Sequence, residues 1–412
     1  MKIGTFSEKF GLTIDTIRYY IENGLLIPEK VHNQYRFDEN CQKDLERILQ
    51  LKAMRFSITE IKMVVSLVRM THLLDQGDRD YYLGFFEKKR SELLEEQKEL
   101  KHALEQVEEM LLSNEPSENP TANPPGLPLS ALSLFSCPKC KTPLVLEQAV
   151  VESNRITNGV FHCNCGYEAR IQNGLVVCPS ARSAQLTPDG QPPSLGEYVQ
   201  RTDPLFLTHV QRGLEWMIKR AQPSKMRNLT LLEFGCGFGF FMQHILSQLD
   251  ESNTYIACEI QKEIVERAQQ ILFNMNPKAN VIFMACDLNQ LPLRENSMDW
   301  IFDPFSSTGI ALRSGQWPPP ILEPFLKPGG NWVGCYSYLN NPSRFFKEPV
   351  KKNASFWDLA LLTERCKTFQ KVESTDMGLS ENVGDLAPYF HPGAQVGHWG
   401  FWGKKGGVPS SF

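Results

Sequence analysis

Three groups of residues have the types and spacing to do chemistry. The first is Gly235-Cys236-Gly237-Phe238-Gly239, which follows the apolar run Leu229–Phe234 and opens a helical pattern. Glycines between a strand and a helix let a ligand approach the backbone and lie against the helix N-terminus. A dinucleotide fingerprint requires a further glycine at position 240, which is Phe240, so NAD is disfavoured. Glu233 stands two residues before the first glycine. Glu259 closes the next apolar run, where a carboxylate can accept both hydroxyls of a ribose, and Asp287-Leu288 follows the third run, Val281–Ala285.

The second group is four cysteines. Cys137-Pro-Lys-Cys140 and Cys163-Asn-Cys165 form two pairs on expected turns between short strands. Four thiolates from two turns suit tetrahedral Zn²⁺, and so small a β unit needs such a staple. The metal is expected to be structural, since four protein ligands leave no open position. One intervening residue is unusual in the second pair, so His162 or Cys178 is an alternative ligand. The chain's 11 cysteines, with no secretory segment, read as reduced thiols and metal ligands in a cytoplasmic protein. No apolar run is long enough to cross a membrane.

The third group is a reading face near the start. Thr13 is a good N-cap for a helix over Ile14–Asn23, and Gly11 and Gly24 bracket it. Two short helices joined by a tight turn are the helix-turn-helix pattern, with the second helix presented to the major groove of DNA. Its exposed face offers Thr13, Thr16, Arg18 and Tyr19, beside Asp15. The run KVHNQYRF reads as a hairpin whose Tyr35 and Arg36 reach the phosphate backbone. Residues 1–70 carry 11 Lys+Arg against 9 Asp+Glu, residues 71–113 carry 6 against 11, and the rest 26 against 27. No domain is a polycation, so nucleic-acid contact must be local.

The elements that position these groups follow from periodicity. Residues 1–70 pattern as four helices and a hairpin. Tyr81–Leu112 then carries Phe86, Leu93, Leu100 and Val107 every seventh residue, with Leu83, Leu104 and Leu111 interleaved. That is a coiled-coil seam which one helix cannot bury alone, so a second copy of the chain is expected against it. Arg90 and Gln97 interrupt the seam and can fix register. Pro, Asn and Ser dominate Ser113–Ser130, which reads as linker, and Ala181–Ser194 as a second break. From residue 195 strands and helices alternate, which gives a parallel α/β sheet with ligands at the carboxyl ends of its strands.

These motifs carry resemblances. TIDTIRYYIENGLLIPEK, QYRF and MRFSITEI are similar to the MerR family of winged-helix transcription regulators, and the long helix matches that family's antiparallel dimerisation helix. The resemblance implies a homodimer on double-stranded promoter DNA, an overlong spacer distorted so that RNA polymerase engages, and Arg18, Tyr19, Tyr35 and Arg36 at the DNA. Ile21, where the family usually has an acidic residue, and Phe56, which lacks the usual preceding Gly, depart from it. The run CPKCKTPL…FHCNCGYEARIQNGLVVCP is similar to zinc ribbons placed ahead of methyltransferase domains. E-x-G-x-G-x-G, the spaced Glu259, Asp287-Leu288 and LKPGG together resemble class I S-adenosylmethionine-dependent methyltransferases. That resemblance implies that Glu233, Gly235, Gly237 and Gly239 border the methionine part of the cofactor and that Asp287 and Leu288 hold adenine. Asp303-Pro304-Phe305 lies where amino-methylating enzymes often carry a longer motif, and reads here as an ordinary strand-end turn. His391 and His398 are candidate bases in an aromatic tail, but a core or surface position accounts for both, so no catalytic residue is assigned.

The expected fold is therefore multi-domain. An all-α winged helix-turn-helix spans 1–70 and a long dimerisation helix 71–113, with a linker over 114–133. A zinc ribbon spans 134–180 and an α/β Rossmann-like methyltransferase domain 195–412. The expected function is a dimeric DNA-binding regulator whose C-terminal half binds S-adenosylmethionine and methylates or senses a small molecule. The alternative is primarily a methyltransferase, acting on a small molecule or RNA, with an autoregulatory DNA-binding head.

Overall fold

The computed structural model describes residues 1–113, 126–183, 196, 199–200, 202–275, 280–380 and 389–406. It divides into two units, Met1–Glu118 and Asn119–Phe412.

In the first unit α1 (Ile3–Phe10) ends at Gly11, whose φ of 64° is the left-handed cap that favours glycine. The next helix, α2 (Ile14–Glu22), starts where expected, with the Thr13 Oγ1 accepting from the Thr16 amide at 3.1 Å. Strands β1 (Glu29–Val31) and β2 (Gln34–Arg36) pair antiparallel. His32 and Asn33 between them have φ of 49° and 64°, the mirror-type turn that matches hairpin twist. Helices α3 (Glu39–Ala53) and α4 (Ile58–Thr71) follow, the latter opened by a capping box between Ser57 and Glu60. Phe6, Ile17, Tyr20, Leu45, Ile48 and Ile61 close one core.

The long helix α5 (Gln76–Ser113) begins five residues before the expected Tyr81. Its first turns are tied to the head: Tyr82, Phe85 and Phe86 pack on the core, and the Lys89 Nζ lies 3.0 Å from Glu60 and 5.1 Å over the Phe56 ring. Further on the seam is open, with Leu100, Leu104 and Leu111 exposed by 61%, 58% and 70%.

The second unit is built on one sheet. Its strands are β3 (Leu127–Pro128), β4 (Val145–Glu152), β5 (Arg155–His162), β6 (Glu168–Gln172) and β7 (Leu175–Val177). After these come β8 (Thr230–Phe234), β9 (Thr254–Glu259), β10 (Val281–Ala285), β11 (Met298–Pro304), β12 (Leu326–Leu339), β13 (Gln370–Ser380) and β14 (Val396–Lys404). Among the described residues the order is β13-β14-β12-β11-β8-β9-β10-β7-β6-β5-β3, with β4 beside β5. The middle strands β10, β9, β8, β11 and β12 run parallel, and β14 inserts antiparallel beside β12. Helices α6 (Pro204–Ala221), α7 (Phe240–Leu246) and α8 (Lys262–Met275) cover one face with Met217, Phe241 and Val265. Helix α9 (Ser306–Ser314) follows β11.

Two expectations change. The cysteine-bearing segment is not a module of its own: β7 pairs parallel with β10, and Phe161, Ile171 and Val176 share a core with Ile256, Ile282 and Trp332. Nor does the linker reach Ser130. Residues 114–125 lie outside the described set, but Leu127 is fully buried and pairs with Ile156. The second break, Ala181–Ser194, lies mostly outside it too.

The chain's 7 tryptophans all lie at or beyond Trp216, so indole fluorescence reports on the second unit alone. Val176→Asp in β7, a fully buried site, should lower the stability read by that fluorescence by at least about 3 kcal/mol, because it buries an unpaired charge. An unchanged tryptophan transition would mean that the cysteine-bearing strands fold independently.

Candidate functional site

The glycine turn sits between β8 and α7, at the carboxyl end of the central strand. Gly235, Gly237 and Gly239 all have positive φ, at 60°, 50° and 78°. Their surroundings differ. A Cβ on Gly235 would meet the Ser306 Oγ at 2.6 Å and one on Gly239 the Met242 Cε at 2.5 Å, whereas one on Gly237 would meet nothing within 4 Å. Gly235 is thus closed in by Ser306, Gly239 meets only the movable end of the Met242 side chain, and Gly237 faces open space. Helix α7 opens at Gly239 without a side-chain cap.

Glu259, at the end of the neighbouring strand β9, is drawn to this turn. Its Oε2 accepts from the Gly237 amide at 3.3 Å, and its Oε1 from the Ile260 amide at 2.8 Å and the Gln261 amide at 3.3 Å. A carboxylate has about four lone-pair sites, so two ribose hydroxyls would have to displace one of the two longer bonds. Asp287 caps the turn Leu288–Gln290, its Oδ1 accepting from the Asn289 amide and the Asn289 Nδ2, each at 2.9 Å. Leu288 packs half-buried against the core.

Glu233 is deeper than its sequence position suggests. It is 1% exposed, one carboxylate oxygen accepts from the Tyr255 hydroxyl at 2.6 Å, and the other has no partner among the described residues. Burial pushes its carboxyl up to about 8. Asp303, in the strand-end turn, is fully buried, and burial pushes it up to about 7. Its Oδ1 accepts from the Ser307 amide at 2.9 Å. Phe305 there is left-handed, with φ of 63°, and the Ser306 hydroxyl donates to the Gly235 carbonyl at 3.1 Å, fastening this turn to the glycine turn.

The segment after β7 braces the same strand ends. The Cys178 amide donates to the Ala285 carbonyl at 2.9 Å, the Asp287 amide to the Ser180 Oγ at 3.1 Å, and the Arg182 amide to the Ile260 carbonyl at 2.8 Å. Sequence reasoning missed Ser180 and Arg182, because a serine beside a Cys-Pro turn carries no signal of a partner 107 residues away.

The sulfurs of Cys137, Cys140, Cys163 and Cys165 all lie within 4.8 Å of one another, with Cys137–Cys165 and Cys140–Cys163 each at 3.3 Å. Zn–S bonds of about 2.3 Å place the sulfurs of a tetrahedron about 3.8 Å apart, so the donor set fits that ion. The alternatives lie elsewhere: His162 is 2.9 Å from Glu147, and Cys178 is buried beside Cys286. A hydrogen bond from the Thr142 hydroxyl is the largest of the effects holding the Cys140 thiol down to about 6.

On α2, Thr13 is committed to the helix cap, and the Thr13 and Thr16 hydroxyls are 2.8 Å apart. Arg18 pairs with Asp15 at 3.1 Å on an open surface, an exchangeable contact worth little in water. Tyr19 is 46% exposed and Arg36 is exposed, while Tyr35 is half-buried under Lys30. The six positions thus lie on α2 and on the hairpin that follows it.

These two assemblies correspond to two known kinds of protein domain. The model described as MerR HTH family regulatory protein matches residues 1–67, and one described as Methyltransferase domain matches residues 231–318. The HTH-type transcriptional regulator YfmP of Bacillus subtilis (strain 168) is 33% identical over 115 residues, 27% of this chain and 80% of the relative. The HTH-type transcriptional regulator ZntR homolog of Haemophilus influenzae is 35% identical over 69 residues, 16% of this chain and 51% of that protein. A solved structure of a SAM-dependent methyltransferase from Aquifex aeolicus is similar to part of this chain. That similarity has 19% identity and a TM-score of 0.34, and covers 52% of this chain and 99% of that one. The chain belongs to the MerR family of helix-turn-helix regulators, and behind its DNA-binding domain it carries a methyltransferase domain.

Two outcomes test this geometry. Left-handed backbone costs a non-glycine residue about 1–2 kcal/mol, and overpacking adds about 1–3 kcal/mol. Gly235→Ala, which pays both, should therefore destabilise the domain by more than Gly237→Ala in denaturant titrations. The buried carboxyls set a pH dependence. Glu233 is raised from 4.5 to about 8, so its contribution to stability is complete below pH 4.5 and is lost as pH rises towards 8. Glu233→Gln should flatten the fall in unfolding free energy across that window, and an equally steep fall would contradict the assignment.

Proposed function

We propose that the chain is a dimeric promoter-binding regulator whose C-terminal half binds S-adenosylmethionine and methylates or senses a small molecule. The observation that carries this reading is the left-handed Gly235–Gly239 turn, open over Gly237, with the Glu259 carboxylate held beside it. Gly235, Gly237 and Gly239 would let the methionine end lie on the backbone, with the unpartnered oxygen of Glu233 below. Glu259 would take ribose, and Asp287 and Leu288 would flank adenine. When bound, the cofactor supplies an activated methyl group, and the protein's task is to place it in line with an acceptor.

In the head, Thr13, Thr16, Arg18, Tyr19, Tyr35 and Arg36 are proposed to meet promoter DNA, with RNA polymerase as the further partner of the complex. Dimerisation is assigned to residues 81–112. Supporting this is the exposed leucine seam, together with a groove of about 550 Å³ between Met54–Phe56 and the Phe86–Leu100 stretch of α5. Zinc at Cys137, Cys140, Cys163 and Cys165 is proposed as structural.

The deciding experiment is calorimetric titration of the folded chain with S-adenosylmethionine. Glu259→Ala, which removes hydrogen bonds to a charged acceptor worth about 1.5–3 kcal/mol, should weaken binding at least about tenfold. Gly237→Val should abolish it while promoter binding persists. No binding by the wild type would overturn the reading. For the head, Arg18→Ala or Arg36→Ala should cost about 1–3 kcal/mol in DNA affinity, and unchanged affinity in both would remove the assigned face.

A further inference from the structure

Beyond the glycine turn, two buried histidines lie close together. His398, on β14, is fully buried, and neither ring nitrogen has a hydrogen-bond partner among the described residues. His209, on α6, is 5% exposed, and its Nδ1 is equally unpartnered. The ring centroids are 6.4 Å apart, and Phe206 and Phe305 close on His398 edge-to-face at 5.0 and 4.9 Å. Buried polar atoms are seldom left without partners, and each that is left so costs stability, so three at one spot mark a place for a hydrogen-bonding group that the described residues do not supply.

Their position in the sheet is the ligand position. His398 is in register with Ser337, two residues past Cys335, and Cys335 is the register partner of Pro304, at which β11 ends. The histidines therefore lie beyond the carboxyl end of β11, where open α/β sheets bind ligands. They are also joined to the glycine turn: Phe305 touches His398, and the next residue, Ser306, donates to the Gly235 carbonyl.

The chemistry of the nitrogens restricts what fits. Burial holds His398 down to about 3, so its imidazole is neutral and offers one donor and one acceptor. Two charged groups act on the pair. Arg212 is exposed, and the Asp376 carboxylate already accepts from the Tyr338 hydroxyl at 2.6 Å and the Gly378 amide at 2.9 Å. A carboxylate or phosphate only accepts, would leave the imidazole acceptor unpaired and would be buried among phenylalanines. A hydroxyl both donates and accepts, and an aromatic body suits the surrounding rings.

We propose that His398 and His209 form the acceptor site of the methyltransferase domain, and that it takes a neutral aromatic compound bearing a hydroxyl group. This rests on the methyltransferase reading above and adds the class of acceptor to it.

The test uses the full chain with phenol and benzoate as probes, followed by saturation-transfer NMR with and without S-adenosylhomocysteine. Phenol should bind at least about tenfold more tightly than benzoate, and His398→Phe should weaken phenol about tenfold while leaving S-adenosylhomocysteine affinity unchanged. The same variant should keep or raise the melting temperature, because it removes two unpartnered nitrogens. Equal binding of benzoate, unchanged phenol binding in His398→Phe, or no phenol binding by the wild type would overturn the proposal. So would a fall in melting temperature, which would reveal a structural partner for the ring. Failure of S-adenosylhomocysteine to bind would count against the cofactor reading instead, since the phenol titration without it still decides the site.

Discussion

The pairing of β7 with β10 is the interaction on which the second unit depends. Phe283, Met284 and Ala285 lie in parallel register with Leu175, Val176 and Val177. This pairing covers the edge that β10 would otherwise present, and an uncovered edge strand is an invitation to aggregate. It also delivers the chain, immediately after β7, onto the strand ends that carry Glu259 and Asp287. Cys178, Ser180 and Arg182 then make one backbone-directed bond each to β10, to the Asp287 amide and to Ile260. The four-cysteine cluster at the turn of the β5–β6 hairpin therefore belongs to the same layer that braces the glycine turn.

That arrangement gives each part of the second unit a reason. A short β segment with a cysteine cluster is too small to hold a core alone. Here it need not, because Phe161, Ile171 and Val176 share their core with the parallel strands. The glycine turn, in turn, is pinned from two sides, by Glu259 on β9 and by Ser306 after β11. Gly237 alone is left with open space in front of it, so the rigidity of the flanking strands is spent on keeping one face of the turn clear.

Much of this was legible in the sequence. Helix and strand positions in the head and in the parallel sheet follow from periodicity and caps, as at Thr13, Gly11 and the run Val281–Ala285. The four cysteines were legible as a cluster because metal spacing is local. What was not legible is what depends on strands meeting across the sheet. Nothing in LVVCP says that β7 will lie beside β10, and the break after it reads as loose chain although Ser180 and Arg182 are bonded to the strand ends. His398 and Asp303 were visible as residues, but burial decides their chemistry, and burial is a tertiary property. The turn read as ordinary at Asp303-Pro304-Phe305 encloses a fully buried carboxyl and points an aromatic ring at a buried imidazole.

The central claim is that the cysteine-bearing strands and the parallel strands are one cooperative body. Native-state hydrogen exchange on the full chain tests it most directly, by comparing amides of β6 and β7 with those of β9 and β10. The account predicts a common opening free energy for both sets, with the Asp287 amide protected alongside them. Exchange of the β6 and β7 amides through a separate, much easier opening, while β9 and β10 stay protected, would contradict it.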